Sequence, residues 1–311
     1  MTLTTLSGAT PARFAFGCMQ FGGRASEPDS RAMFEACRAS GITHFDTAHV
    51  YTGGESERML GRFAAAERDS LFIATKAGYE GGASRDNILT TFDDSRRRLG
   101  MEVIDLFYMH RWDDGTPLEE TFETLAGLQS AGHIRHIGVS NYAAWQVMKA
   151  QCVAARLGTR IDVIQPMYNL VKRQAEVELL PMCTAEGIVP VPYSPLGGGL
   201  LTGKYASGGT GRLIEDERYA ARYGRPEMHD SARALSELAA ELGTQAATLA
   251  VAWVAAHPAR PAPILSARNA AQLAPSLAAM SLTLDPTLYA RLSALSATPP
   301  PATDRLEEAG G

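Results

Sequence analysis

Four side chains that can hold or move a proton stand near the ends of apolar runs. Asp46 and Tyr51 lie five residues apart in HFDTAHVY, Lys76 closes LFIATK, and His110 closes IDLFYMH. A tyrosine with a pKa near 10 is a weak acid and an inert base at neutral pH. An adjacent ammonium favours its phenolate and lowers that value. A carboxylate beside the ammonium keeps it charged and oriented, and a neutral imidazole can hydrogen-bond a carbonyl oxygen and direct it to the phenol. Asp46 is thus expected to be held by Lys76, with the five-residue offset letting Tyr51 leave its strand and reach over a pocket. Taken singly these residues say little, since a lone strand-end aspartate is usually a cap or a loop ligand.

The elements that must position them can be read from periodicity. Apolar runs rich in β-branched and aromatic residues occupy 14–19, 43–48, 71–76, 104–110, 136–140, 162–168, 188–194 and 262–267. Nearly continuous apolar runs suit strands buried on both faces, as in a parallel sheet. Helices between them carry polar starts and Gly or Pro stops. Asp29 opens one that ends before Gly41, Ser84 one ending at Gly100, and Thr116-Pro117 one ending at Gly132. Asn141 precedes a helix through Met148, and Gly187 closes one beginning near Arg173. Asp230 opens a helix stopped by Gly243, and Thr244 opens one ended by Pro258. Eight strands alternating with helices define either a (β/α)₈ TIM barrel or a doubly wound sheet. FGCMQFGG after the first run lacks the GxGxxG spacing of a dinucleotide-binding Rossmann turn, which favours the barrel. Barrel active sites form at the C-terminal strand ends, where Asp46, Lys76 and His110 fall. TPARFAF is expected to cover the barrel's bottom. Residues 202–229, after the seventh strand, form an extended segment without periodicity, and 299–311 read as a disordered tail.

Composition excludes several classes. At 311 residues and 45% hydrophobic, the chain can bury the core of one α/β barrel domain spanning 1–311, with a C-terminal helix. A net charge of −5 without Lys/Arg blocks argues against nucleic-acid or anionic-membrane partners. No apolar stretch approaches the ~18–20 residues that span a bilayer, and the N-terminus lacks a secretory pattern. Cys18, Cys37, Cys152 and Cys183 show no CxxC or His pairing, so a cytoplasmic protein with free thiols and no metal site is expected. Trp253 and Trp145 read as packing residues.

With these residues in view, the chain resembles the aldo-keto reductase superfamily over nearly its whole length, in the manner of the general bacterial-type enzymes. FDTAHVYTGGESERMLG resembles the family's signature around the acid and the tyrosine. IATK and DLFYMHR resemble the segments bearing its lysine and histidine, and IRHIGVSN, QPMYNL and YSPLGGGLLTGKY its cofactor segments. The resemblance implies an oxidoreductase that reduces an aldehyde or ketone, or runs the reverse, by direct hydride transfer from NAD(P)H. Tyr51 is then the general acid/base, Lys76 lowers its pKa, Asp46 pairs with Lys76, and His110 orients the carbonyl.

The same resemblance implies the cofactor contacts. Ser140, Asn141 and Gln165 match the residues that bind the nicotinamide carboxamide, and Tyr193 the aromatic that stacks on the ring. Ser194, Pro195, Leu196 and Gly198 match pyrophosphate contacts, Lys204 and Arg212 the basic residues beyond, and Ser266, Arg268 and Gln272 the adenosine end. The family often has glycine at Ser266, and an acid and an asparagine at Pro275 and Ser276. A guanidinium suits a 2′-phosphate, so Arg268 favours NADP(H), with NAD(H) open. Met19, Gln20, His49, Tyr79 and Trp112 are the substrate-pocket candidates, for a small carbonyl or alcohol. Two neighbouring readings remain. One is an NAD-dependent alcohol, sugar or pyridoxal-type dehydrogenase, the other a nucleotide-binding, redox-sensing regulatory subunit. A barrel isomerase binding a sugar phosphate leaves the Tyr51–Lys76 pairing without purpose.

Overall fold

The computed structural model describes residues 3–205 and 208–303. Its strands are β1 (Ala15–Gly17), β2 (His44–Asp46), β3 (Phe72–Ala77), β4 (Ile104–Met109), β5 (Ile134–Ser140), β6 (Val163–Gln165), β7 (Val189–Pro190) and β8 (Ile264–Leu265), each inside or overlapping an expected run. All pairs are parallel, in the order β7-β6-β5-β4-β3-β2-β1-β8. The ends join through Ala262 N–H to the Pro190 carbonyl (2.8 Å) and Ile264 N–H to the Pro192 carbonyl (2.9 Å), which closes the barrel. Pro190 and Pro192 have no N–H to return across that seam, so β7 and β8 meet by bonds in one direction.

Period-two alternation sorts each strand into a helix-facing side and an interior side. The interior side changes character along the strand. Phe72 and Ala74 precede Lys76, Leu106 and Tyr108 precede His110, Val163 precedes Gln165, and Val191 precedes Tyr193. The first member of each series belongs to one buried apolar cluster with Ala15, Ala262 and Ile264. The barrel is therefore apolar below and polar at its C-terminal mouth. Gly138 makes room in it, because a Cβ there would lie 2.4 Å from the Tyr108 ring. Leu3 packs on this cluster from below, and Arg135 at the base of β5 donates to the Thr4 carbonyl and to Thr4 Oγ1. The TPARFAF segment also lies at this end, where Ala12 N–H donates to Thr43 Oγ1 just before β2 at 2.8 Å and Arg13 donates to the Ala255 carbonyl at the end of α10.

Twelve helices are described: α1 (Glu27–Ala39), α2 (Glu55–Ala64), α3 (Arg85–Leu99), α4 (Leu118–Ser130), α5 (Ala144–Arg156), α6 (Leu179–Glu186), α7 (Arg212–Glu215), α8 (Glu217–Tyr223), α9 (Pro226–Glu241), α10 (Ala246–Ala256), α11 (Ala270–Ala278) and α12 (Pro286–Ser293). Several starts differ from expectation. Ser26, not Asp29, caps α1, accepting from Asp29 N–H at 3.2 Å while donating to the Asp29 carboxylate at 2.6 Å. Asn141 caps nothing, because its φ of +58° turns the chain away before α5, which runs on past Met148 to Arg156. α9 starts at Pro226, whose fixed φ suits a first turn, rather than at Asp230. α10 starts after Gln245 rather than Thr244. The segment near Arg173 is a 3₁₀ turn (Gln174–Glu176) ahead of α6, and Gly187 does end α6 in the left-handed region. Much of the extended 202–229 segment is helical, as α7, α8 and the first turn of α9. Residues 299–303 of the expected disordered tail form no helix or strand, and 304–311 lie outside the described residues.

Trp253 on α10 is fully buried and donates to Ser293 Oγ of α12 at 2.9 Å, which docks the C-terminal helix. Trp145, expected to pack on the barrel, is instead 60% exposed. No single helix among the described residues is long and apolar enough to cross a membrane.

Candidate active site

Asp46 ends β2 and is 2% exposed, and Lys76 near the end of β3 is 1% exposed. The ammonium of Lys76 donates to Asp46 Oδ1 and, at 2.6 Å, to the Thr47 carbonyl. Gln165 of β6 donates its Nε2–H to Asp46 Oδ2 at 2.9 Å. Both carboxylate oxygens are thus met by donors, which is how a buried charge is sustained. Burial pushes the Asp46 pKa up and the Lys76 pKa down, and each opposes the other's shift through their ion pair.

Tyr51 opens a 3₁₀ turn (Tyr51–Gly54) beyond β2, its N–H bonded to the Ala48 carbonyl at 3.0 Å. The turn bends through positive φ at Thr52, Gly53 and Gly54, which lifts Tyr51 over the mouth. Lys76 Nζ lies 5.3 Å from the Tyr51 ring centre and 5.5 Å from that of Tyr108. The sequence expectation was a lowered Tyr51 pKa. Here it is raised, first by burial and then by the Asp46 carboxylate and the neighbouring Tyr193 and Tyr219. Burial outweighs the nearby ammonium of Lys76 in the direction of this shift, and the Asp46 carboxylate adds to the rise.

His110 closes the group. Its ring centre is 5.9 Å from that of Tyr51 and 4.9 Å from that of Tyr79. Burial, Lys76 and Arg111 push its pKa down to about 3, so it is neutral at ordinary pH. His44, buried lower in the barrel with its Nε2 unpartnered, is likewise held near about 3 by burial and Lys76. Unfolded histidine titrates near pH 6.5, so below that value the unfolded chain binds protons that the fold refuses. The stability contributed by these two groups is intact above pH 6.5. It falls from there toward pH 3 by about 1.4 kcal/mol per pH unit for each histidine. Urea unfolding between pH 7 and pH 5 should show this fall. His44→Leu should make it shallower whatever that variant's absolute stability, and an unchanged slope would mean that His44 titrates in the folded barrel.

The expected cofactor residues lie along the β5-to-β8 side of the mouth. Ser140 Oγ donates to the Gln165 carbonyl at 2.9 Å, and Asn141 Nδ2 donates to the His110 carbonyl at 3.0 Å. Tyr193 donates its hydroxyl to Asn141 Oδ1 at 2.8 Å, and burial pushes its pKa up to about 12. Asn141 and Ser194 hold φ of +58° and +59°, a cost that non-glycine residues bear at functional turns. Pro195 and Leu196 lead into a 3₁₀ turn (Gly197–Thr202), where a Cβ on Gly198 would lie 2.7 Å from the Tyr219 ring. Lys204 Nζ stands 4.9 Å from the centre of the Tyr205 ring. The Arg212 side chain lies outside the described residues.

Glu215, at the end of α7, ion-pairs with Arg24 from the loop after β1 (3.0 Å) and with Arg268 from the loop after β8 (3.3 Å). The 202–229 segment is thereby strapped across the barrel mouth. Gln272 Oε1 accepts from Arg268 N–H at 3.4 Å, and Asn269 caps α11, where Pro275 sits inside the helix and Ser276 is buried. A nicotinamide nucleotide fits this strip. Ser266 Oγ is buried without a hydrogen-bond partner, the half-buried Tyr193 ring sits between Asn141 and α8, and left-handed Ser194, Gly197 and Gly198 turn the backbone along one edge.

The pocket candidates separate. Tyr79 lies against His110, and Met19 and buried Gln20 follow β1. His49 instead points its Nε2 toward Asp94 of α3 (3.5 Å) and lines a cavity of about 180 Å³ with Tyr79, Gly78 and Asn87. Trp112 packs on Tyr142 and Trp145 (ring centres 5.1 and 5.6 Å apart) and donates to Asp114. Sequence reasoning missed Tyr108, Arg111, Asn169 and Tyr219. Tyr108 was findable, since it shares the interior face with His110 in DLFYMH. Asn169, which donates to the Ser194 carbonyl at 2.9 Å, lies inside QPMYNL and could have been singled out from that segment.

Fold and site together define a (β/α)₈ barrel with an Asp-Tyr-Lys-His group at its mouth. The chain belongs to the aldo/keto reductase family, whose model matches residues 13–297. It is therefore an oxidoreductase by family, and members of that family generally use NAD(P)H. It is 31% identical to a rice (Oryza sativa subsp. japonica) protein named probable voltage-gated potassium channel subunit beta, over 96% of this chain and 97% of that one. It is 32% identical to the uncharacterized oxidoreductase YrpG of Bacillus subtilis (strain 168), over 92% and 93%. It is also 32% identical to L-glyceraldehyde 3-phosphate reductase of Escherichia coli (strain K12), over 81% and 78%.

Proposed function

We propose that this protein reduces an aldehyde or ketone to an alcohol with NADPH as the preferred cofactor, and that Tyr51 is its general acid. One observation carries the reading: the Tyr51 phenol and the His110 imidazole meet edge to face, ring centres 5.9 Å apart, beside a buried Lys76–Asp46 pair. A nicotinamide nucleotide, when bound, supplies the two electrons and the hydrogen that the carbonyl carbon takes up. The chain does the rest. His110 and Tyr51 hold the carbonyl oxygen between them, and the Tyr51 hydroxyl hands it a proton as negative charge develops there. Lys76 then stabilises the phenolate left behind, from 5.3 Å below the ring centre. A phenol that keeps its proton through neutral pH favours reduction over alcohol oxidation, which needs the phenolate as base.

Arg268 supports the NADPH preference because a guanidinium matches a phosphate dianion. Here it is paired with Glu215, so a 2′-phosphate must compete with that carboxylate. Fluorescence titration should show NADPH binding tighter than NADH. Arg268→Ala should weaken NADPH about tenfold or more, at the ~1.5–3 kcal/mol of a charged hydrogen bond, and leave NADH within about twofold. NADH binding as tight as NADPH in the parent would turn the reading toward NAD-linked alcohol oxidation. The rice relative's name supports a second reading, a nucleotide-binding regulatory subunit, and nucleotide binding without turnover of any carbonyl would favour it.

A further inference from the structure

Behind the catalytic wall lies a buried charge that the reaction as described does not use. Glu57 on α2 is fully buried, and its Oε1 accepts from Thr75 Oγ1 at 2.7 Å. Thr75 is the β3 residue next to Lys76 and faces outward. Arg98, in the last turn of α3, donates one N–H to Glu57 Oε2 at 3.2 Å and one to the His49 carbonyl at 3.0 Å. Its guanidinium lies under the turn that carries Tyr51. Gly54, at φ +87°, permits this, since a Cβ there would stand 2.6 Å from Arg98 Cζ. One ion pair thus touches both the strand bearing Lys76 and the loop bearing Tyr51.

We propose that Glu57 and Arg98 are positioning residues for the reaction. Arg98 clamps the Tyr51 turn from below, and Glu57 holds Arg98 in place and adds a second buried anion to the field at Lys76. The inference rests on the proposed carbonyl reduction only for its kinetic half. Lys76 faces Asp46 on β2, Cys18 beyond β1, Tyr51 and Tyr108, and its field reaches His110 and His44. The anions Asp46 and Glu57 both favour its charged form. Neither Glu57 nor Arg98 reaches the pocket, and burying a carboxylate there would be costly without a purpose beyond packing.

The test uses the full chain. Glu57→Gln keeps the size and the Thr75 acceptor but removes the charge. It should lower kcat about tenfold, as small misplacements of reacting groups do, with KM and the fluorescence-measured NADPH affinity within about twofold. The alkaline limb of its kcat profile should move to lower pH, because Lys76 has lost an anion. Arg98→Ala should raise amide hydrogen exchange over residues 49–55 and not across the barrel strands. Arg98 also lines an open cleft of about 430 Å³ with Arg58, Arg62 and Arg97, so free guanidinium ion can enter where the side chain was removed. Millimolar guanidinium should restore part of the lost kcat in Arg98→Ala and none in the parent.

Parental kcat and exchange in both variants would overturn the proposal. So would losses that come with exchange raised throughout the barrel, an unmoved pH limb and no rescue, which mark a purely structural pair. Should Glu57→Gln fail to fold, Thr75→Val removes one hydrogen bond to Glu57 and leaves its charge, so it should lower kcat without moving the limb, and a moved limb or an unchanged kcat would count against the proposal. Should the parent reduce no carbonyl, the reductase reading falls, and exchange over 49–55 still decides whether Arg98 clamps the turn.

Discussion

Tyr51→Phe should lower kcat for carbonyl reduction about 10³-fold while NADPH binding stays within about twofold, the size expected of a lost general acid. The hydroxyl is the only atom removed, and the turn that carries it is held by backbone, Thr52 and Arg98 contacts rather than by the phenol. Stability should therefore change little. Substrate KM should also move less than kcat, because the proton transfer is made in the transition state. The residual rate should lose the pH dependence that belongs to the phenol. Near-parental turnover would remove Tyr51 from the acid role and leave His110, neutral throughout the working range, unable to replace it as a proton donor of comparable driving force.

The same residues show how far a single sequence carries. Barrel order was legible because each strand is a short apolar run and each polar interior residue comes last in it, so Lys76 and His110 announce the mouth. Gln165 on Asp46 was not legible, as its partner lies 119 residues away and only barrel closure brings β6 opposite β2. The 202–229 segment read as irregular because α7 and α8 span four and seven residues, too few for a helical period to register. What fixes them is tertiary: Arg24 and Arg268, from opposite ends of the chain, both reach Glu215. The direction of the Tyr51 shift failed for a related reason. Residue types predict a cation near a phenol, but the sign depends on burial and on which side of the ammonium the carboxylate stands.

That balance is exposed most sharply by taking the Lys76–Asp46 pair apart. Lys76→Met should abolish measurable reduction and also destabilise the barrel by about 3–5 kcal/mol, the cost of leaving a buried charge unpaired. Gln165 would then be the one remaining donor to the Asp46 carboxylate among those described. The Met side chain matches the lysine stem in length, so the penalty reports the charge rather than a cavity. Adding Asp46→Asn to it should return most of that stability, because a neutral amide no longer needs the ammonium and still accepts from Gln165. Activity should not return, since neither an ammonium beneath Tyr51 nor its orienting anion remains. Thermal unfolding and kcat of the single and double variants thus pull apart two roles that one ion pair combines. Additive losses of stability in the double variant would mean that the two charges act independently, against the short contact between them.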